Sequence, residues 1–247
     1  MHKLLMLFSG ILLTGLLMAQ NVKEIVRKAD EKSRGISSEG ELTMVIQRPG
    51  WSRTLSLKNW TLGNDYSMIY ITAPAKEKGQ VFLKRHNEMW NYVPSIERMI
   101  KMPPSMMLQS WMGSDFTNDD LVKESSLVND YDQTLIGEEK IHGLDCHIIQ
   151  LMPKPDAPVV WGKIIMWISK LESIWLKGEY FDEDGMLINT EILSDIKQMD
   201  DRRLPVKLEM IPEGKEGQKT IMTINRIKFN VKLDQSFFSQ QNMRKIR

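Results

Sequence analysis

Cysteine is nearly absent from this sequence: Cys146 stands alone among 247 residues. One thiol cannot close an internal disulfide, so the fold has to be held by packing. In the run Asp145-Cys146-His147-Ile148-Ile149 the thiol reads as a small buried hydrophobe of a strand. Neighbouring strand residues point to opposite faces, which argues against a Cys146–His147 dyad. Histidine is scarce too, at four residues. His86, His142 and His147 are scattered, with no His-Glu-x-x-His pair and no Cys-x-x-Cys. A Gly-rich phosphate loop and a G-x-S-x-G elbow are both missing. The acidic runs Asp119-Asp120 and Asp182-Glu183-Asp184 lack calcium-loop spacing and read as a cap and a turn. No catalytic residue, metal site or cofactor is therefore expected, and the chain does not read as an enzyme. Charge of one sign is missing as well, with 33 basic against 32 acidic residues. A nucleic-acid binder would show a basic excess.

Long apolar runs are also rare; the one present is at the start. Met1-His2-Lys3 leads into an apolar stretch from Leu4 to Leu17, then Met18-Ala19 and the polar Gln20. A positive start, a greasy run and a small residue describe a secretory signal peptide, with cleavage expected after Ala19. The run is short for a membrane span. No cysteine near the cut offers a lipid-anchor site. The expectation is an exported, periplasmic protein with one domain over residues 20–247. Loss of Lys3 leaves that domain formally neutral, and it is long enough to bury a core.

Two residue types are abundant. There are 18 Met and 7 Trp against 7 Phe. Methionine is flexible and polarizable, so it suits either core filling or a surface that adapts to variable apolar partners.

Residues 21–34 place Val22, Ile25, Val26 and Ala29 at helical spacing, and Gly35 ends that helix. Strand patterns follow: 42–46 to the Pro49-Gly50 turn, 53–61, 65–72 with apolar residues on both faces, and a hairpin of 81–85 and 89–93 around His86-Asn87. Residues 94–128 break the pattern. Pro103-Pro104 open a predicted helix carrying Met107, Leu108 and Trp111 on one side. Thr117 and Asp120 have the spacing of a capping box. Strands resume around 134–138, 146–152, 161–169, 174–181, 186–193, 204–211 and 220–230, and a helical turn is expected within 236–243. The fold class is α+β, mainly β: about eleven strands in one curved antiparallel sheet, with an N-terminal helix and a helical insertion.

The run Glu88-Met89-Trp90-Asn91-Tyr92-Val93-Pro94 through Arg98-Met99-Ile100, followed by Trp111-Met112-Gly113-Ser114-Asp115-Phe116-Thr117-Asn118-Asp119-Asp120-Leu121, resembles the outer-membrane lipoprotein-sorting protein group. That group is related to the lipoprotein carriers LolA and LolB. The sequence departs from the group in a less basic Arg98-Met99-Ile100-Lys101 stretch and in Asn118-Asp119. The resemblance implies an unclosed β-barrel with helices in its mouth and a cavity that takes acyl chains.

A carrier of that kind needs an apolar hollow, since each buried methylene recovers roughly 0.8 kcal/mol. The candidate cavity and lid residues are Met106, Met107, Leu108, Trp111, Met112 and Phe116 of the insertion, together with Met68, Met89, Trp90 and Tyr92 of the strands. Which strand face lines the cavity stays open, because a one-residue slip reverses it. Arg85, Arg98 and Lys101 are candidates for lipid phosphates, or a solvated face. Gly113-Ser114-Asp115-Phe116 reads as structural: a tight turn, a backbone cap by Asp115 and an anchor by Phe116. On the lid reading, Met107→Asp or Trp111→Asp leaves the sheet intact; on the core reading it unfolds the protein. The expected role is a carrier or chaperone for a lipid or acylated lipoprotein in outer-membrane biogenesis, handing over to an inner-membrane transporter or outer-membrane acceptor. The alternatives are an envelope-stress sensor or adaptor that binds a protein partner, and, more distantly, an enzyme.

Overall fold

In the computed structural model, residues 22–246 are described, except 124 and 125. The expected signal peptide lies outside the described residues. The alternating segments form thirteen antiparallel strands: β1 (Ser37–Arg48), β2 (Trp51–Leu62), β3 (Tyr66–Ala73), β4 (Val81–Arg85), β5 (Glu88–Val93), β6 (Arg98–Met102), β7 (Tyr131–Ile141), β8 (Leu144–Pro153), β9 (Lys163–Ser169), β10 (Trp175–Phe181), β11 (Leu187–Met199), β12 (Arg202–Pro212) and β13 (Lys219–Phe229). They lie in one sheet in the order β6-β5-β4-β3-β2-β1-β13-β12-β11-β10-β9-β8-β7. The expected count of about eleven is therefore too low. One missed strand is β6, which lay inside the expected insertion. Its Arg98-Met99-Ile100-Lys101 is short and largely exposed, but it pairs in register with β5, Met99 opposite Tyr92.

This order has a consequence for the insertion. Two meanders leave the central β1–β13 pair in opposite directions, so β6 and β7 are the two free edges. Yet β6 and β7 follow each other in the chain. Segment 103–130 has to carry the backbone from one edge to the other, and it does so across the inner face.

Strand alternation sorts the side chains between the faces. On the inner face, Met44, Ile46, Leu55, Leu57, Ile69 and Ile71 of one meander share a core with Ile149, Leu151, Ile164 and Met166 of the other. The helix at 22–34, α1, adds Val22, Val26 and Ala29 to that core. Gly35 ends α1 with φ +69°, its N–H donating to the Glu31 carbonyl at 2.8 Å. A β-carbon there would lie 2.9 Å from the Phe229 ring, so only glycine closes this helix.

The outer face carries a second core of Trp60, Tyr66, Met68, Tyr70, Leu83 and Trp90. The C-terminal segment covers it with Phe238 and Met243, the latter on α2 (Gln240–Met243). Ring centroids are 5.6 Å apart for Trp60–Phe237 and 5.5 Å for Tyr66–Phe238. This explains why β3 is apolar on both sides: both sides are covered. Phe238 is fully buried. Phe238→Ala is expected to lower stability by about 3–5 kcal/mol in urea unfolding, without disturbing the inner face.

Candidate functional site

The crossing segment is not one helix. Pro104–Met106 and Trp111–Gly113 are single 3-10 turns, and Asp119–Lys123 is a π turn. The expected helix from Pro104 fails because Met112 (φ 51°) and Gly113 (φ +77°) both take left-handed backbone. The capping box between Thr117 and Asp120 is present and reciprocal. The Thr117 N–H donates to Asp120 Oδ2 at 2.7 Å, and the Asp120 N–H donates to Thr117 Oγ1 at 3.1 Å.

Asp115 clips this segment to the centre of the sheet. Its Oδ2 accepts from Arg48 Nη1 at 2.9 Å and from Thr220 Oγ1 at 2.7 Å. Its N–H donates to the same Thr220 oxygen at 2.9 Å, and its carbonyl accepts from Asn189 Nδ2 at 3.2 Å. Arg48 also donates to the Gly113 carbonyl at 2.9 Å, and Arg53 donates to that of Met112. The side chains of Asp115 and Arg48 are 6% and 14% exposed. Asp115 is thus a buried ion-pair partner rather than the backbone cap expected from the sequence. Arg48, its counter-charge on β1, was not anticipated.

Beside the clip lies a hollow of about 200 Å³. Phe116, Asp120 and Leu121 of the crossing segment form one wall, and Arg34 at the end of α1 borders it. The opposite wall comes from the second meander: Tyr131, Ile164, Trp175, Tyr180, Glu191 and Met210. In register, Glu191 stands between Gly178 on β10 and Met210 on β12. A β-carbon on Gly178 would lie 2.9 Å from Trp175 and 3.3 Å from Tyr180, so the missing side chain lets these groups close around the hollow. Phe116 and Trp161 also border an outer cleft of about 510 Å³ and so stand between the two spaces. A larger crevice, about 1,120 Å³, runs along α1. Its charged walls pair among themselves, as Arg27 with Glu31, Arg34 with Asp30 and Arg202 with Asp201, so the apolar hollow is the better candidate.

The hollow holds acids in an unusual state. Burial pushes the Glu191 carboxyl up to about 8; the Tyr180 hydroxyl donates to its Oε2 at 2.8 Å. Burial likewise raises Asp120 to about 6, opposed by the Thr117 backbone and by Trp161 Nε1, which donates to Oδ1 at 2.9 Å. Burial also moves the Tyr131 and Tyr180 hydroxyls upward. At neutral pH Glu191 is mainly protonated and Asp120 mainly ionised.

Of the candidate residues read from the sequence, only Phe116 borders this hollow. Met89, Met107 and Trp111 are buried in the inner core, with Met106 and Met112 packed against it. Leu108 is 62% exposed, because the turn at 104–107 points it outward. Met68, Trp90 and Tyr92 belong to the outer core under the C-terminal segment, on the opposite face. Arg85, Arg98 and Lys101 are exposed on the β4–β6 side, Lys101 ion-paired to Glu88. Sequence reading missed Tyr131, Trp161, Trp175, Tyr180 and Glu191. The one acidic residue of the strand expected at 186–193, Glu191 just before Ile192-Leu193, was the available signal.

Trp111 is fully buried against Phe82, with ring centroids 5.2 Å apart. Trp111→Asp is therefore expected to unfold the protein, read as loss of the cooperative thermal transition by circular dichroism. Asp115→Ala leaves Arg48 buried without its carboxylate and should cost about 3 kcal/mol in denaturant unfolding. Because Glu191 is shifted from 4.5 to about 8 on folding, its contribution is full below pH 4.5 and is lost as pH rises through 8. The stability difference between wild type and Glu191→Gln should shift by on the order of 4 kcal/mol, in favour of the variant, between pH 4.5 and 8. A flat difference in chemical denaturation across that range would contradict the buried, protonated carboxyl.

The fold has clear counterparts. A DUF1329 family protein from Desulfovibrio piger aligns over 92% of this chain and 99% of its own, with TM-score 0.82 and 23% identity. A domain described as outer membrane lipoprotein-sorting, from Vibrio parahaemolyticus, aligns over 92% and 99%, with TM-score 0.81 and 22% identity. A LolA superfamily protein from Nitrosomonas europaea aligns over 90% and 98%, with TM-score 0.78 and 21% identity. No curated protein matches the sequence. A family model described as "Uncharacterized protein"-like matches residues 63–245. The chain therefore belongs to the family of that model, and its fold is that of the LolA superfamily and the lipoprotein-sorting structures.

Proposed function

We propose that this protein is a periplasmic carrier or chaperone that shelters an acyl chain between its sheet and its crossing segment, within outer-membrane lipid or lipoprotein trafficking. The observation that carries this reading is the apolar hollow beneath a segment built from isolated turns and clipped to the sheet at Asp115. The kinship in fold with lipoprotein-sorting structures supports it. In the described conformation the hollow, at about 200 Å³, is below the usual ligand range of roughly 300–1,000 Å³. On this reading that conformation is the closed one; Met107 and Trp111 stay in the inner core, and only residues 115–121 beside the hollow act as a lid. Turning Phe116 away from Trp161 joins the hollow to the outer cleft and gives a hydrocarbon chain its way in.

Such a carrier needs reversible burial rather than chemistry. A chain of several methylenes gains a few kcal/mol in the hollow at roughly 0.8 kcal/mol each. Lid closure adds the Asp115 contacts, and reopening them returns the load to an acceptor. The handover partner, an inner-membrane transporter or an outer-membrane acceptor, belongs to the same proposal.

Two measurements test it. Native mass spectrometry of protein purified from the periplasm should show co-purified lipid; an empty protein bound tightly to another polypeptide would favour the adaptor reading instead. Titration with the methyl ester of a dansylated fatty acid should saturate at one site. Arg48→Ala, which loosens the lid, should speed probe entry severalfold; no binding by wild type or variant defeats the carrier proposal.

A further inference from the structure

Two polar atoms bordering the hollow make no hydrogen bond to a described residue. Glu191 is 4% exposed, and only its Oε2 is engaged, by Tyr180; Oε1 makes no hydrogen bond to a described residue. Tyr131 is 1% exposed, and its hydroxyl likewise makes none. Both residues border the same hollow, whose other walls include Ile164, Trp175, Met210 and Met222. Neither atom is among the polar atoms sealed from solvent without a partner, so each is open to the hollow, and a polar pair open to a mainly apolar space marks what a ligand there would meet.

The chemistry of the pair selects the ligand. Each Asp120 oxygen already accepts one hydrogen bond, Oδ2 from the Thr117 N–H and Oδ1 from Trp161. Burial, helped by the Asp120 charge, holds the proton on Glu191, and burial does the same for the Tyr131 hydroxyl. Arg34 and Asp119 also border the hollow but have partners of their own, and the two O–H donors face mainly apolar and aromatic walls. The matching partner is a hydrogen-bond acceptor without charge on an apolar body. A free carboxylate would sit badly beside Asp120, and a bare hydrocarbon would leave both donors unmade.

Resting on the carrier reading above, we infer that the hollow receives the carbonyl of an uncharged acyl ester or amide, with Glu191 and Tyr131 as the hydrogen-bond donors that distinguish such a chain from a plain hydrocarbon. Recognition then has a pH limit. The charged or titratable groups bordering the hollow are Arg34 from α1, Asp119 and Asp120 from the crossing segment, Tyr131 from β7, Tyr180 from β10 and Glu191 itself. Among these, Glu191 is the donor lost first as pH rises through about 8.

The test compares monooctanoylglycerol with 1-O-octylglycerol, the matched ether lacking the carbonyl, and with octylamine. Trp161 and Trp175 serve as fluorescence reporters of binding to the full mature chain. Wild type should bind the ester about tenfold more tightly than the ether at pH 7, and this preference should fade above pH 8. Glu191→Met should abolish the preference. Glu191→Gln, which keeps an N–H donor, should retain it but without the pH dependence. Tyr131→Phe should reduce it severalfold while leaving ether binding unchanged. Should Glu191→Met fail to fold, the Gln and Phe variants decide the matter. Equal binding of ester and ether by wild type overturns the donor assignment while leaving the carrier reading standing. Tighter binding of octylamine overturns it in favour of a cation site. Binding of none of the three removes the carrier reading along with it.

Discussion

An open sheet whose two edges are consecutive in the chain forces the connecting backbone across one face, and most of this structure follows from that constraint. β6 ends at one edge and β7 begins at the other, so 103–130 must span the inner face. That face is apolar along both meanders and has to be covered from water. The crossing segment and α1 share the task. The segment buries Met107, Trp111 and Phe116 in the inner core, while α1 buries Val22, Val26 and Ala29.

The connector folds back on itself, with the Trp111 N–H donating to the Phe116 carbonyl at 2.8 Å and the Asn118 N–H to that of Gln109 at 2.9 Å, and side chains tie it to the sheet. The Asp115 carboxylate, with Arg48 and Thr220, links it to the β1–β13 centre, where the two meanders meet. Buried ion pairs are costly to break from one side but add little net stability over an apolar contact. They are well suited to fixing position, and here they fix where the segment lies. Trp161 on Asp120 makes a second tether beside the hollow. On the carrier reading the stretch 115–121, held by these two polar tethers, parts from the hollow while Met107 and Trp111 keep their places in the core.

Much of the fold was legible because strand alternation and turn residues are local signals. Pro49-Gly50, Gly63-Asn64 and His86-Asn87 each fall at a hairpin. The capping box at Thr117–Asp120 could be read because both partners are three residues apart. The site was less legible, and for a reason of register. Period-two patterning sorts residues between two faces but does not say which face is inner, and this sheet is covered on both. Trp90, Tyr92 and Met68 were therefore assigned to the cavity when they lie beneath the C-terminal segment. The methionine surplus was equally ambiguous. Met44, Met68, Met166 and Met243 are fully or almost fully buried core residues, whereas Met210 and Met222 reach the hollow. Partners distant in sequence, such as Arg48 with Asp115 or Tyr180 with Glu191, leave no trace in a local pattern.

The central claim is that the part of the crossing segment beside the hollow, 115–121, opens while the sheet stays folded. Hydrogen–deuterium exchange resolved by peptide tests it most directly. The account predicts that amides within 115–121 exchange much faster than those of β1, β2 and β13 in the free protein, and slow markedly when a lysophospholipid is bound. Exchange of 115–121 as slow as the central strands, and indifferent to lipid, would contradict it.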